Sequence, residues 1–123
     1  INDYTWNDSA QTLFGKDVKD LSITEHLSLV DFILKEDNRD DNLTNWATYG
    51  GQRYKDYLKQ LSETTDVRST FDSIAANVGS DIDSSVYSQV EMIARNNNID
   101  VRKLLAIGLA ESLFKTDAIG YNE

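Results

Sequence analysis

Glu111 is the residue best placed to do chemistry in this sequence, because it interrupts an apolar helix pattern on the side that faces inward. In "LLAIGLAESLFKTDAIG", residues 104–120, it follows Leu104 by seven positions. On a helix it therefore lies only about 20° round from Leu104, between Ile107 and Gly108. An inward carboxylate is costly when ionised and unpaired, so its proton should be held towards neutral pH, as a general acid requires. The competing reading is that Glu111 pairs with a lysine or arginine, or reaches solvent at the helix end. Position alone does not separate the two.

Other residues with chemical potential carry less. Asp117, six positions on, is the nearest second carboxylate, but an aspartate there reads as a turn or cap residue. His26, the only histidine, falls in the first turn of a helix and reads as a surface residue. The loop Asp37 to Asn42 has the acidity of a calcium loop but lacks the glycine at its sixth position and the closing glutamate. No metal site and no cofactor are expected.

The elements that must position Glu111 are helical almost throughout. Asn7 or Asp8 is expected to cap a short helix through Ala10, Leu13 and Phe14 that Gly15 ends. Ser22 with Glu25 forms a capping box, followed by the stripe Ile23, Leu27, Val30 and Leu34 on a helix ending near Glu36. "KEDNRDDNLTN" then reads as a solvated loop. Gly50 and Gly51 break the next segment before a helix that buries Tyr54, Tyr57, Leu58 and Leu61. Val67, Phe71, Ile74, Ala75 and Val78, ended by Gly79, mark another stripe, and Val86, Val90, Ile93 and Ala94 the one after it. Asp100 caps the helix of Val101, Leu104, Leu105 and Gly108 that leads to Glu111. With no proline and no alternating strand, the expected class is all-α, with room for a small hairpin near the termini.

A chain of 123 residues suits one domain with a real core. Its formal charge of -9 and the lack of a basic stripe argue against duplex nucleic acid as a partner. The absence of cysteine excludes disulfides and thiolate metal sites and leaves the compartment open. No apolar run approaches the roughly 20 residues of a membrane span, and no signal-peptide layout opens the chain. The start at Ile1 rather than Met suggests a fragment, a processed product or a piece of a longer polypeptide.

"YSQVEMIARNNNIDVRKLLAIGLAESLFKTDAIG", Tyr87 to Gly120, resembles the first half of the lysozyme-like lytic transglycosylase family, the goose-lysozyme-like superfamily in its phage type. Glu111 and Ser112 match the Glu-Ser pair, Phe114 the following aromatic, and Ala118 with Ile119 the pair before the next turn. The family's Gly-x-x-Gln motif does not follow, since the chain stops at Glu123. The other end, "INDYTWNDSAQTLFG", is similar to the stretch after that glutamine, and "NWATYGGQRYKDYL" resembles the closing part of phage-type relatives. Tyr49 and Gly50 look like the tyrosine and glycine of the cleft-lining Tyr-Asn-Ala-Gly segment, whose Asn and Ala are not reproduced.

The two halves stand in reversed order. A circular permutation would make residues 1–61 the family's second half, 80–123 its first half, and 62–79, with a helix over 66–78, the connection. A linker of roughly 18 residues closes at modest entropic cost, because closure entropy grows slowly with length. A cut from tandem domains, or a missing loop carrying Gly-x-x-Gln, would give the same order. Permutation or a missing loop would bring Ile1 and Glu123 together beside Glu111.

The resemblance implies an enzyme with a single catalytic glutamate and no cofactor. Glu111 would protonate the glycosidic oxygen between N-acetylmuramic acid and N-acetylglucosamine, then take the proton of the sugar's own 6-hydroxyl as a 1,6-anhydro ring closes. Hydrolysis through a second carboxylate is the less favoured scheme. Ser112, Tyr49, Gly50 and Tyr121 would bind the glycan strand. Trp6, Trp46 and Tyr54 also offer ring faces to sugars, although Trp46 and Tyr54 read as core. The implied partner is peptidoglycan, without nucleic acid or membrane insertion. The setting would be a phage virion or tail, or the extracellular wall, beside other tail or wall proteins or further domains of the same polypeptide. The alternative is a non-catalytic structural or glycan-binding module that keeps the fold, since fold does not imply activity.

Overall fold

The computed structural model describes residues 3–36, 43, 46, 48–77 and 84–111, and among these the protein is all-α, with no strand. The described helices are α1 (Asp3–Phe14), α2 (Ile23–Glu36), α3 (Gln52–Glu63), α4 (Val67–Asn77), α5 (Ser84–Asn96) and α6 (Val101–Ala110), with a 3-10 turn at Val18–Asp20. The expected hairpin, the chain termini, the loop Asp37 to Asn42, and Val78 with Gly79 lie outside the described residues.

The helix at the centre is α6. Every residue from Leu104 to Ala110 is buried, as expected of a helix that is apolar all round. It packs most extensively on α3, with α5 and α4 alongside, while α2 lies on α5 and α1 on α2. Aromatic pairs tie the outer parts together. The Phe71 and Tyr87 rings meet edge-on at 5.6 Å between α4 and α5, with the Arg68 guanidinium 5.2 Å from the centre of the Tyr87 ring.

Local signals set most boundaries. Ser22 Oγ accepts from the Glu25 N–H at 3.1 Å while Glu25 Oε1 accepts from the Ser22 N–H at 2.9 Å, a closed capping box at the start of α2. Asp100 Oδ1 accepts from the Arg102 N–H at 2.9 Å and opens α6. Between them, α5 ends in a Schellman turn. Asn98 takes φ 57°, the Ile99 N–H donates to the Ala94 carbonyl at 2.9 Å, and half-buried Ile99 packs on the core.

Three expectations are corrected. The first helix starts at Asp3, so Asn7 lies inside it; the Asn7 Oδ1 instead accepts from the Val18 N–H at 2.9 Å and pins the 3-10 turn. A polar residue within a helix can mimic a cap in sequence while serving a tertiary contact. His26 is 2% exposed rather than on the surface. It lies within a buried arc of α2 that includes Leu29 and Ile33 as well as Leu27, Val30 and Leu34. That arc spans about 160°, wider than one stripe, because α2 packs on α1 on one side and α5 on the other. Within the polar stretch after α2, Leu43 is buried, so that segment is anchored to the core rather than wholly solvated.

Candidate active site at the end of α6

Glu111 closes α6 as its C-cap, with φ -99° and ψ 29°, and its own N–H donates to the Ile107 carbonyl at 2.9 Å. Its side chain is directed into the protein and the residue is 4% exposed. Escape to solvent at the helix end, one of the two competing expectations, is therefore excluded. The Glu111 Oε2 accepts a hydrogen bond from the Thr48 backbone N–H at 3.2 Å, across 63 positions of sequence.

Thr48 is brought there by a segment built from successive turns. The Trp46 N–H donates to the Leu43 carbonyl and the Tyr49 N–H to the Trp46 carbonyl, each at 3.1 Å. The Gly51 N–H then donates to the Thr48 carbonyl at 2.9 Å, with Gly50 at φ 80°. A positive φ at the third of four turn residues is the pattern of a type II turn, which glycine adopts without strain. Gly51 is the N-cap of α3 and accepts from the Lys55 N–H at 3.0 Å. Buried Leu43 and Trp46 anchor this segment, and the Trp46 ring meets Trp6 of α1 at 5.5 Å.

Of the five residues assigned to the site, Glu111, Tyr49 and Gly50 are among those described. Glu111 meets the turn that contains Tyr49 and Gly50, while Ser112 and Tyr121 lie outside the described residues, as do Phe114, Asp117, Ala118 and Ile119. Tyr49 is half-buried, its ring 5.2 Å from that of Tyr54. Trp6, Trp46 and Tyr54 are core residues, so none of the three offers a free face to a sugar. Thr48 is the member that sequence reading missed. Its contribution is a backbone N–H, which any residue but proline supplies, so its side-chain type gives no signal. The Thr48 hydroxyl is itself buried and has no hydrogen-bond partner among the described residues.

Among the described residues, no three or more His, Asp or Glu side chains gather as a metal site, and no helix is long and apolar enough to cross a membrane. The ion pairs Lys16–Glu25, Lys35–Asp31 and Arg95–Glu91 all lie on the surface. His26 is held neutral by burial, which lowers its pKa to about 4. Compared with known proteins, the chain matches no family model, no curated protein and no solved structure.

Proposed function

We propose that this chain is a lysozyme-like domain with its halves in permuted order, a lytic transglycosylase that cleaves peptidoglycan with Glu111 as its one acid and base. The observation that carries the reading is the contact between Glu111 and Thr48. It joins the end of the helix that resembles the family's first half to the turn that resembles its cleft-lining segment.

In the proposed reaction Glu111 donates its proton to the glycosidic oxygen as the bond from that oxygen to C1 breaks. The resulting carboxylate removes the proton of the 6-hydroxyl while O6 bonds to C1, closing the anhydro ring and restoring the acid. No water and no second carboxylate enter, which sets the scheme apart from two-carboxylate glycosidases. The setting that fits this activity is a phage virion or tail, or the bacterial wall.

A second reading has its own support. Glu111 is 4% exposed and caps a backbone N–H, which is also what a purely structural carboxylate does. In that case the chain is a non-catalytic lysozyme-like module of a tail or wall assembly. Mass spectrometry of fragments released from purified peptidoglycan separates the readings. Anhydro-muramyl products that vanish with Glu111→Gln are expected for the transglycosylase. Reducing-end products would make it a hydrolase, and no release by the folded wild type would leave the structural module.

A further inference from the structure

We propose that the Thr48 hydroxyl is a second donor to the Glu111 carboxyl, one that turns onto it about χ1 once the carboxyl has given up its proton. Its part in glycan cleavage rests on the reading above, whereas the pairing itself is tested without substrate.

Two observations meet at one residue. The Thr48 N–H donates to Glu111 Oε2 at 3.2 Å, while the buried Thr48 hydroxyl has no hydrogen-bond partner among the described residues. A buried hydroxyl left unpaired carries the desolvation penalty of a bond it does not make, and a valine of the same shape would not. Packing therefore gives no reason for threonine here. A neighbouring carboxyl that changes its charge does.

Covalent geometry gives the hydroxyl its reach. It stands gauche to its own nitrogen in two of the three staggered rotamers, where the O–H and the N–H lie side by side and can face one carboxyl together. The backbone is committed, since the Thr48 carbonyl accepts from the Gly51 N–H at 2.9 Å and Gly50 holds φ 80°. The freedom that remains is χ1. A turn of about 120° moves the hydroxyl to the next staggered position, and where it changes places with the methyl group no cavity opens. An ionised carboxylate has about four acceptor sites, so this bond adds to the contacts that Glu111 already makes.

The bond counts most when Glu111 is charged. A hydroxyl donating to a carboxylate makes a charge-assisted hydrogen bond, about twice as strong as a neutral one. Glu111 is buried at the C-terminal end of α6, where the helix carbonyls disfavour a negative charge. On the elements packed against α6, the charged side chains of Arg53, Lys55 and Asp56 in α3, Arg68 and Asp72 in α4 and Arg95 in α5 are exposed, and water and salt screen them. As the Glu111 proton passes to the glycosidic oxygen, charge grows on the carboxyl. A donor that pairs with the charged form then stabilises the transition state more than the ground state. Thr48 is a positioning residue that acts through Glu111 and transfers no proton of its own.

The test compares Thr48→Val, which keeps the branched shape and the N–H, with Thr48→Ser, which keeps the hydroxyl. In peptidoglycan cleavage Thr48→Val lowers kcat about tenfold with KM unchanged, and Thr48→Ser stays within about twofold of wild type. The second readout is NMR: the three-bond couplings from Thr48 Cγ2 to its amide nitrogen and its carbonyl carbon report χ1. In the wild type they change as the Glu111 carboxyl titrates, and in Glu111→Gln, which stays neutral, they do not. Couplings that stay constant through the Glu111 titration overturn the inference. So does a Thr48→Val protein with wild-type kcat, or a Thr48→Ser protein as slow as Thr48→Val. If the wild type cleaves nothing, the proposed function fails, and the couplings alone decide the pairing.

Discussion

Among the described residues, Glu25 and Glu111 each accept a hydrogen bond from a backbone N–H, and they do so in opposite ways. Glu25 accepts from Ser22, three residues away, on an exposed helix end where Lys16 also reaches both carboxylate oxygens at 3.0 Å. Glu111 accepts from Thr48, 63 residues away, in the interior. The first bond forms as soon as one turn of helix forms and competes with water at every moment. The second exists only when α6 and the 43–51 segment are docked, and water does not replace it if it is lost. One carboxylate is an accessory of a local element; the other is a product of the whole fold.

The next residue along α2 extends the contrast and gives the largest expected effect. His26 is buried, with its pKa lowered by desolvation from 6.5 to about 4, so it is neutral when folded and takes up a proton on unfolding in that window. Its contribution is therefore complete above pH 6.5 and is lost as pH falls towards 4. The full gap corresponds to about 3 kcal/mol. Urea unfolding at pH 6.5 and 5.0 should show a loss of about 2 kcal/mol in the wild type and a much flatter response in His26→Leu. An equal slope in both would place the acid sensitivity elsewhere. Glu25, whose pKa is lowered by the Ser22 N–H first and Lys16 next, contributes in a separate window, losing its effect only below its ordinary value of 4.5.

Breaking the long-range member of the pair comes second. Glu111→Ala leaves the part-buried Thr48 N–H without that acceptor and should destabilise the protein by about 2 kcal/mol. Glu111→Gln retains a carbonyl oxygen for the same donor and should stay within about 0.5 kcal/mol of wild type in the same unfolding measurement, while the proposed cleavage reaction would lose its acid. Third, Gly50→Ala introduces a side chain at φ 80° and should cost about 1 kcal/mol, with Gly50→Asn costing less. The smallest effect belongs to the local pair: Glu25→Ala should lower Tm by only about 2–3 °C in a calorimetric scan. A drop there as large as that of Glu111→Ala would remove the distinction between the two glutamates.

The helical plan was legible wherever its cause is local. The Ser22–Glu25 box, the Asp100 cap and the apolar stripes of α2 to α6 rest on spacings of three and four residues, and the helices stand where those spacings place them. The inward aim of Glu111 was legible for the same reason. What misled was any position with two local interpretations: Asn7 as a cap, His26 as a surface residue, Trp6 as a sugar platform. Each was decided by a neighbour from elsewhere in the chain, the 3-10 turn for Asn7, a second packed helix for α2, and the Trp46 ring for Trp6.

From the sequence alone, then, came the all-α class, the main helices and a carboxylate pointed at the core, because periodicity and capping act within one or two turns of backbone. Only the tertiary structure decided what that carboxylate touches. The donor is an N–H carried by every residue except proline, and the link between Thr48 and Glu111 forms only when segments 63 positions apart bury their apolar faces together.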